Sequence, residues 1–285
     1  MRFGKHSYMR MIASCLVIGT APLCGLSLQA AAQTSSDHIS RVDEANALHH
    51  SWSELISDYR AVGPGGIALF DYAALKASEA DLARLSNYID ALSALPISSF
   101  PDDAAFAAWA NLYNALTVQV VVHNYPVDSI RDIRSGLFSA GPWKRDLVTV
   151  EGKTLTLDNI EHDILRVRFS DPRVHYAVNC ASLGCPDLQA TAWTAETLDA
   201  DLNQAARHYI NHPRGVTVLP SGKLRVSKIY DWYEEDFGGT ASGVVQHIKQ
   251  YADPELAEQL SQNTVIANYV YDWSLNDLEA KNHDR

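Results

Sequence analysis

Residues 102–126 read DDAAFAAWANLYNALTVQVVVHNYP. Asp102 or Asp103 can cap a helix here, and Pro126 requires that it has already ended. The spacing predicts a helix to about His123. Phe106, Trp109, Leu112, Leu116, Val118, Val120, Val121 and Val122 cover most of its sides. A helix apolar all round belongs in the centre of a fold. Asn111 and Asn114 interrupt the pattern, and asparagine is a poor interior helix residue because its amide competes with the backbone. An unpaired buried amide costs about 1–3 kcal/mol. Each therefore either ties the helix to a neighbouring loop or lines a site, where it can polarise a carbonyl or orient a histidine. Trp109 and Tyr113 on the same helix are pocket candidates.

Upstream of this stretch, His49–Arg60 reads as a helix, Ile67–Tyr72 as a short strand, and Glu79–Leu95 as an amphipathic helix with Leu82, Leu85, Tyr88, Ile89 and Leu92 on one stripe. Downstream, Leu147–Val150 and Thr154–Leu157 flank a Glu-Gly-Lys turn and read as a hairpin. Asp158 with Glu161 fits a capping box before a short helix to Arg166. Val174–Asn179 reads as a strand. Thr194 caps a helix ending at Pro213, a second hairpin spans Val216–Ser227, Ser242 caps a helix to Tyr251, and Thr264–Asp272 alternates as a closing strand. Helices and hairpins in irregular order predict a single α+β domain over 42–285, with the apolar helix packed on an antiparallel sheet.

The first residues read as an address. Arg2, Lys5 and Arg10 precede the apolar run Met11–Leu28, and Ala30-Ala31-Ala32 supplies an A-x-A exit. This is the layout of a secretory signal peptide over 1–32, followed by a flexible lead-in over 33–41. A periplasmic or secreted protein, with no stable membrane insertion after cleavage, is expected. The whole chain has 23 Lys+Arg against 34 Asp+Glu, a net charge of -11. That balance excludes a nucleic-acid surface, which needs clustered cations. Twenty-six aromatics along 285 residues exclude a disordered chain.

Cleavage would leave Cys180 and Cys185, in the segment RVHYAVNCASLGCP from Arg173 to Pro186. Three readings compete. The pair forms a disulfide, closing a small ring worth roughly 2 kcal/mol in chain entropy. Alternatively, Cys180 is a nucleophile with His175 as its base. The third is a metal site, for which no second C-x-x-C or H-E-x-x-H completes the ligand set. Strand parity sets His175 and Cys180 on opposite faces, so the second reading requires a bend near Asn179.

Two further segments carry candidates. Glu161, His162 and Arg166 lie in NIEHDILR, residues 159–166. Tyr230, Asp231, Trp232 and Asp236 lie in YDWYEEDF, residues 230–237, where aromatics interleave with acids as a cleft rim for a cationic or sugar ligand would. Asp231 or Asp236 can orient His175. The chain has no Walker loop, G-x-G-x-x-G or G-x-S-x-G, so nucleotide and α/β-hydrolase chemistry lack support.

Trp109–Ala115, Leu157–Arg166, His175–Pro186 and Ser227–Phe237 together resemble a bacterial and plant family known as a domain of unknown function, DUF547. Tyr271–Asn276 is similar as well. The core of the resemblance spans about 100–237, with weaker similarity from Tyr72 to the end. It implies a shared fold and carries no activity. A looser likeness, to papain-like and transglutaminase-like folds, rests on the order of central helix, His175 segment and Tyr230–Phe237 segment. Those folds start the helix with the nucleophile, whereas here the thiols follow the histidine.

Two functions are thus expected. One is an exported thiol-dependent hydrolase or acyl transferase, without a cofactor: Cys180 attacks, His175 is the base, Asp231 or Asp236 orients it, and Asn111 or Asn114 holds the oxyanion. The other is a non-catalytic periplasmic binding domain with a Cys180–Cys185 bridge beside an aromatic, acidic groove. A small molecule, peptide or glycan is the expected partner.

Overall fold

The computed structural model describes residues 24–134, 140–260 and 264–279, with side chains from residue 41. Most of the expected signal peptide lies outside these residues. The chain divides into two units, Met1–Ile39 and Ser40–Arg285. Helix α1, Cys24–Tyr59, is helical through 33–41, where a flexible lead-in was expected.

In order, α1 is followed by the hairpin β1 (Arg60–Val62) and β2 (Ala68–Phe70), then α2 (Tyr72–Ala77), α3 (Glu79–Ser93) and α4 (Asp102–Asn124). A second hairpin pairs β3 (Val148–Val150) with β4 (Lys153–Leu155). A π-helix, Asn159–Leu165, runs into α5 (Arg166–Phe169), and α6 (Val174–Ala177) is a single turn. After α7 (Leu198–Ile210) come β5 (Val216–Val218), β6 (Leu224–Ser227), α8 (Ile229–Trp232), α9 (Ala241–Tyr251), α10 (Pro254–Gln259) and β7 (Ile266–Val270). The chain is α+β. In place of one antiparallel sheet, the described residues form three small sheets. The largest is mixed, with β5 antiparallel to β6 and β7 parallel to it.

Helix α4 forms the centre. It is long and apolar enough to cross a membrane, yet protein encloses it. Every residue from Ala104 to Val118 is buried, including both asparagines. Burying a large apolar side chain contributes about 1.5–3 kcal/mol, so this one helix anchors much of the core. Pro101, with no side-chain bond, occupies its cap position. Asp102 and Asp103 open the first turn, where their charge complements the amide ends.

Several expected caps move. The turn before the π-helix is closed by Thr156 and Asn159, not by Asp158 and Glu161. Asn159 N–H donates to Thr156 Oγ1 at 3.1 Å, and Thr156 N–H donates to Asn159 Oδ1 at 3.1 Å. Helix α7 begins at Leu198, past Thr194. Thr240, not Ser242, caps α9 by accepting from Gly243 N–H at 3.0 Å.

The largest correction falls on 174–179, which is not a strand. Asp171 and Pro172 start a helical turn: Val174 N–H donates to Asp171 C=O and His175 N–H to Pro172 C=O. Valine and tyrosine at 174, 176 and 178 mimic a strand locally, but the Asp-Pro turn decides the backbone. The pleat argument separating His175 from Cys180 therefore does not apply.

Candidate functional site

The turn of α6 delivers His175 to the floor of a cavity of about 220 Å³. Tyr113 of α4, Glu161 and His162 of the π-helix, Cys180 and Cys185, Trp232 and Tyr233, and Tyr271 and Trp273 line it, with Trp143 and Asp158 at its side.

His175 has a side chain only 1 % exposed. Its Nε2 lies 2.7 Å from Asp236 Oδ2, and Tyr233 stacks on the ring at 4.0 Å. Burial holds the imidazole below its usual pKa, against the upward pull of Asp236 and Glu161. A neutral ring that donates from Nε2 to a carboxylate keeps its lone pair on Nδ1. That nitrogen is buried and has no hydrogen-bond partner; its nearest charged group is Glu161 Oε1 at 4.0 Å. Burial alone would raise the Asp236 carboxyl. The His175 bond and a two-pronged pair with Arg166, at 2.6 and 3.0 Å, hold it well below the carboxylate range. Arg166 also covers the Tyr233 ring at 5.0 Å. Asp231, by contrast, is exposed and outside this network.

The half-buried Cys180 lines the same cavity. Its Sγ lies 2.8 Å from Cys185 Sγ, 3.0 Å from Tyr271 Oη and 3.2 Å from Ser182 Oγ. All three neighbours can donate, and a thiolate would accept from all of them. Burial raises the Cys180 thiol; donation from Cys185, Ser182 and Tyr271 outweighs it and leaves the pKa lowered. Cys185 is pushed the other way, by burial and by its neighbour Cys180. The charge therefore belongs on Cys180. Both are free thiols in the structure. Neither sulfur is hydrogen-bonded to His175 Nδ1, so thiol and base share a cavity without touching.

Three devices hold the cysteine loop. Ala181 occupies the left-handed region at φ 57°, a conformation that costs a residue with a β-carbon about 1–2 kcal/mol. Asn179 Oδ1 accepts Ala181 N–H at 2.9 Å and secures it. Gly184 lies so close to the backbone of Asp272 that a β-carbon would come within 2.8 Å of it. That approach brings Tyr271 and Trp273 to the site. The third device is Asn114, whose amide donates to Ala177 C=O at 2.9 Å and accepts from Asn179 N–H at 2.8 Å. It spans the loop entrance.

Neither asparagine is among the residues that line the cavity. Asn111 pairs reciprocally with the backbone of Trp193, at 2.9 and 3.0 Å, and both amides are spent on main chain. Trp109 is buried in the core, and Tyr230 bonds Tyr176 at 3.2 Å away from the cavity lining. Ser182, Tyr233 and Tyr271 were not singled out from the sequence as site residues. The alternation of Tyr271 and Trp273 around Asp272 was the available signal. Glu161 is buried because the π-helix, with its wider turn, rolls it inward, a feature frequent at functional sites. No group of three or more His, Cys, Asp or Glu suited to a metal occurs among the described residues.

Residues 97–210 match the family described as "Protein of unknown function, DUF547". No curated protein and no solved structure matches the chain.

Proposed function

We propose that this cavity performs thiol-dependent hydrolysis or acyl transfer in an exported protein. The observation that carries the reading is Cys180 Sγ, which has three potential donors and shares one cavity with an unpaired nitrogen of a buried His175–Asp236 pair.

The thiol proton leaves Cys180 for His175 Nδ1 through a bridging water or the bound substrate. Asp236 and the nearby Glu161 favour the imidazolium that forms. The thiolate attacks a carbonyl carbon, and its electron pair moves onto oxygen, where the Ser182 and Tyr271 hydroxyls, released from the sulfur, can donate. Collapse expels the leaving group with the proton from His175 and leaves a thioester. Water or an amine, deprotonated by Nδ1, then cleaves it and returns the thiol. Export rests on the leader-like residues 1–32.

One observation favours a second reading. Sulfurs 2.8 Å apart are poised to bond, and in an oxidising compartment the pair would close into a bridge. The module would then bind without catalysing.

Thiol titration separates the two. In the first reading, one thiol reacts rapidly with iodoacetamide at neutral pH, Cys180→Ser abolishes that reaction, and Tyr271→Phe slows it by about tenfold, a pKa rise of roughly one unit. Absence of any reactive thiol in protein purified without reductant, with restoration only after reduction, would establish the bridge instead.

A further inference from the structure

We infer that the cavity selects a substrate carrying a positively charged amine, held by Glu161 between aromatic walls. The inference rests on the reading of this cavity as a substrate site and adds the class of substrate.

Among the described residues, Glu161 is the only carboxylate more than nine-tenths buried in the cavity lining: its side chain is 8 % exposed, whereas Asp158 is 28 % exposed. A buried carboxylate is ordinarily paired with a cation. Among the described residues, no lysine or arginine forms an ion pair with Glu161. Its neighbours are the Tyr233 hydroxyl and the neutral His175 ring, 4.0 Å away. Arg166, which feels the Glu161 charge only at a distance, is committed to Asp236 and the Tyr233 face. Arg131 stacks on Trp273 at 5.2 Å. Among the described residues no lysine or arginine is thus paired with this carboxylate, which itself lines the cavity.

The walls agree. Trp232, Tyr271 and Trp273 pack in a cluster with ring centres 4.6–5.4 Å apart, and Trp143 meets Trp273 edge-on at 5.7 Å. Trp232 is left 40 % exposed at the mouth. Aromatic faces around a carboxylate form the environment that attracts an ammonium group over a neutral group of equal size. A sugar would also stack on such rings, but it leaves the buried carboxylate uncompensated. In the proposed reaction the ammonium group belongs to the acyl donor, at a position away from the carbonyl that the thiolate attacks.

Titration of the full protein at pH 7 with benzylamine and with benzyl alcohol tests this, read by tryptophan fluorescence. The two probes differ in the ammonium group. Benzylamine should bind at least about tenfold more tightly. Glu161→Gln should abolish the preference, and Trp232→Ala, which truncates a half-exposed ring without opening the core, should reduce it by about threefold. Equal binding of both probes, binding of neither, or an undiminished preference in Trp232→Ala or in folded Glu161→Gln would overturn the inference. Repeating the titration on Cys180→Ser separates the two claims. An amine preference there, with no thiol reactivity in the parent protein, would sink the acyl-transfer reading alone.

Discussion

The molecule builds the same polar cluster twice. At one place His175, Asp236 and Arg166 meet, with Arg166 over the Tyr233 ring at 5.0 Å. At the other, His208 Nε2 lies 2.8 Å from Asp187 Oδ2, Arg214 lies 2.6 Å from Asp187 Oδ1, and Arg214 covers the Tyr209 ring at 5.4 Å. What differs is which member is buried. In the first cluster the imidazole is buried and the carboxylate is 26 % exposed. In the second the carboxylate is 6 % exposed and the imidazole is half in solvent. Asp187 also accepts Ala68 N–H at 2.9 Å, so it joins the cysteine segment to β2. A histidine–carboxylate pair is therefore no signature of chemistry. What sets His175 apart is its second ring nitrogen, which is buried and has no hydrogen-bond partner.

The largest expected effect separates the two histidines. With a nitrophenyl ester, where the leaving group needs no acid, His175→Gln should still slow both the initial burst of nitrophenolate and the turnover by about 10²-fold or more, since general base catalysis contributes 10²–10⁴. His208→Gln should change either phase by less than about twofold. Stopped-flow absorbance measures both, and equal losses in the two variants would erase the distinction.

The carboxylates should reverse that order in stability. Asp187→Asn leaves the guanidinium of Arg214 buried without its counter-charge, which costs about 3 kcal/mol. Asp236→Asn, near solvent, should cost about 1 kcal/mol. Urea denaturation checks the ranking.

The smallest effect is on the pH dependence of Tm. Burial lowers His175, and holds His49 and His247 at about 4. Because these folded values lie below the unfolded value of about 6.5, the unfolded chain binds more protons as the pH falls. Stability present above pH 6.5 is therefore lost progressively from there toward pH 4. The depressed Asp236 acts in the same sense at lower pH: it stabilises above the unfolded carboxylate value and loses that contribution as the pH falls through its folded one. His175→Gln should flatten the upper part of the curve. Scanning calorimetry from pH 7.5 to 4.5 tests it.

Much of this architecture was readable, for identifiable reasons. Helices α3 and α4 and both two-residue-period hairpins carry their pattern within a single element, so periodicity finds them. The cavity does not. His175 sits in a turn whose backbone is set by Asp171 and Pro172, while its own neighbours look like a strand. Glu161 occupies a position that mimics a cap, and only the π-helix turns it inward. Tyr271 reaches Cys180 through an approach of two loops far apart in sequence, which no local pattern encodes. Asn111 and Asn114 were recognised as unusual, but their partners at 177, 179 and 193 depend on tertiary folding.

The bonds from Asn114 to Ala177 and Asn179, where the chain enters the cysteine loop, have an evolutionary corollary. Asn111 and Asn114 lie three residues apart on one face of α4, and a single inserted residue upstream would swing both amides by about 100°. Neither could then reach its loop, although the helix would still be helical and still greasy. Length changes in this lineage should therefore accumulate in the β-hairpin tips and avoid the span between Pro101 and Asn114.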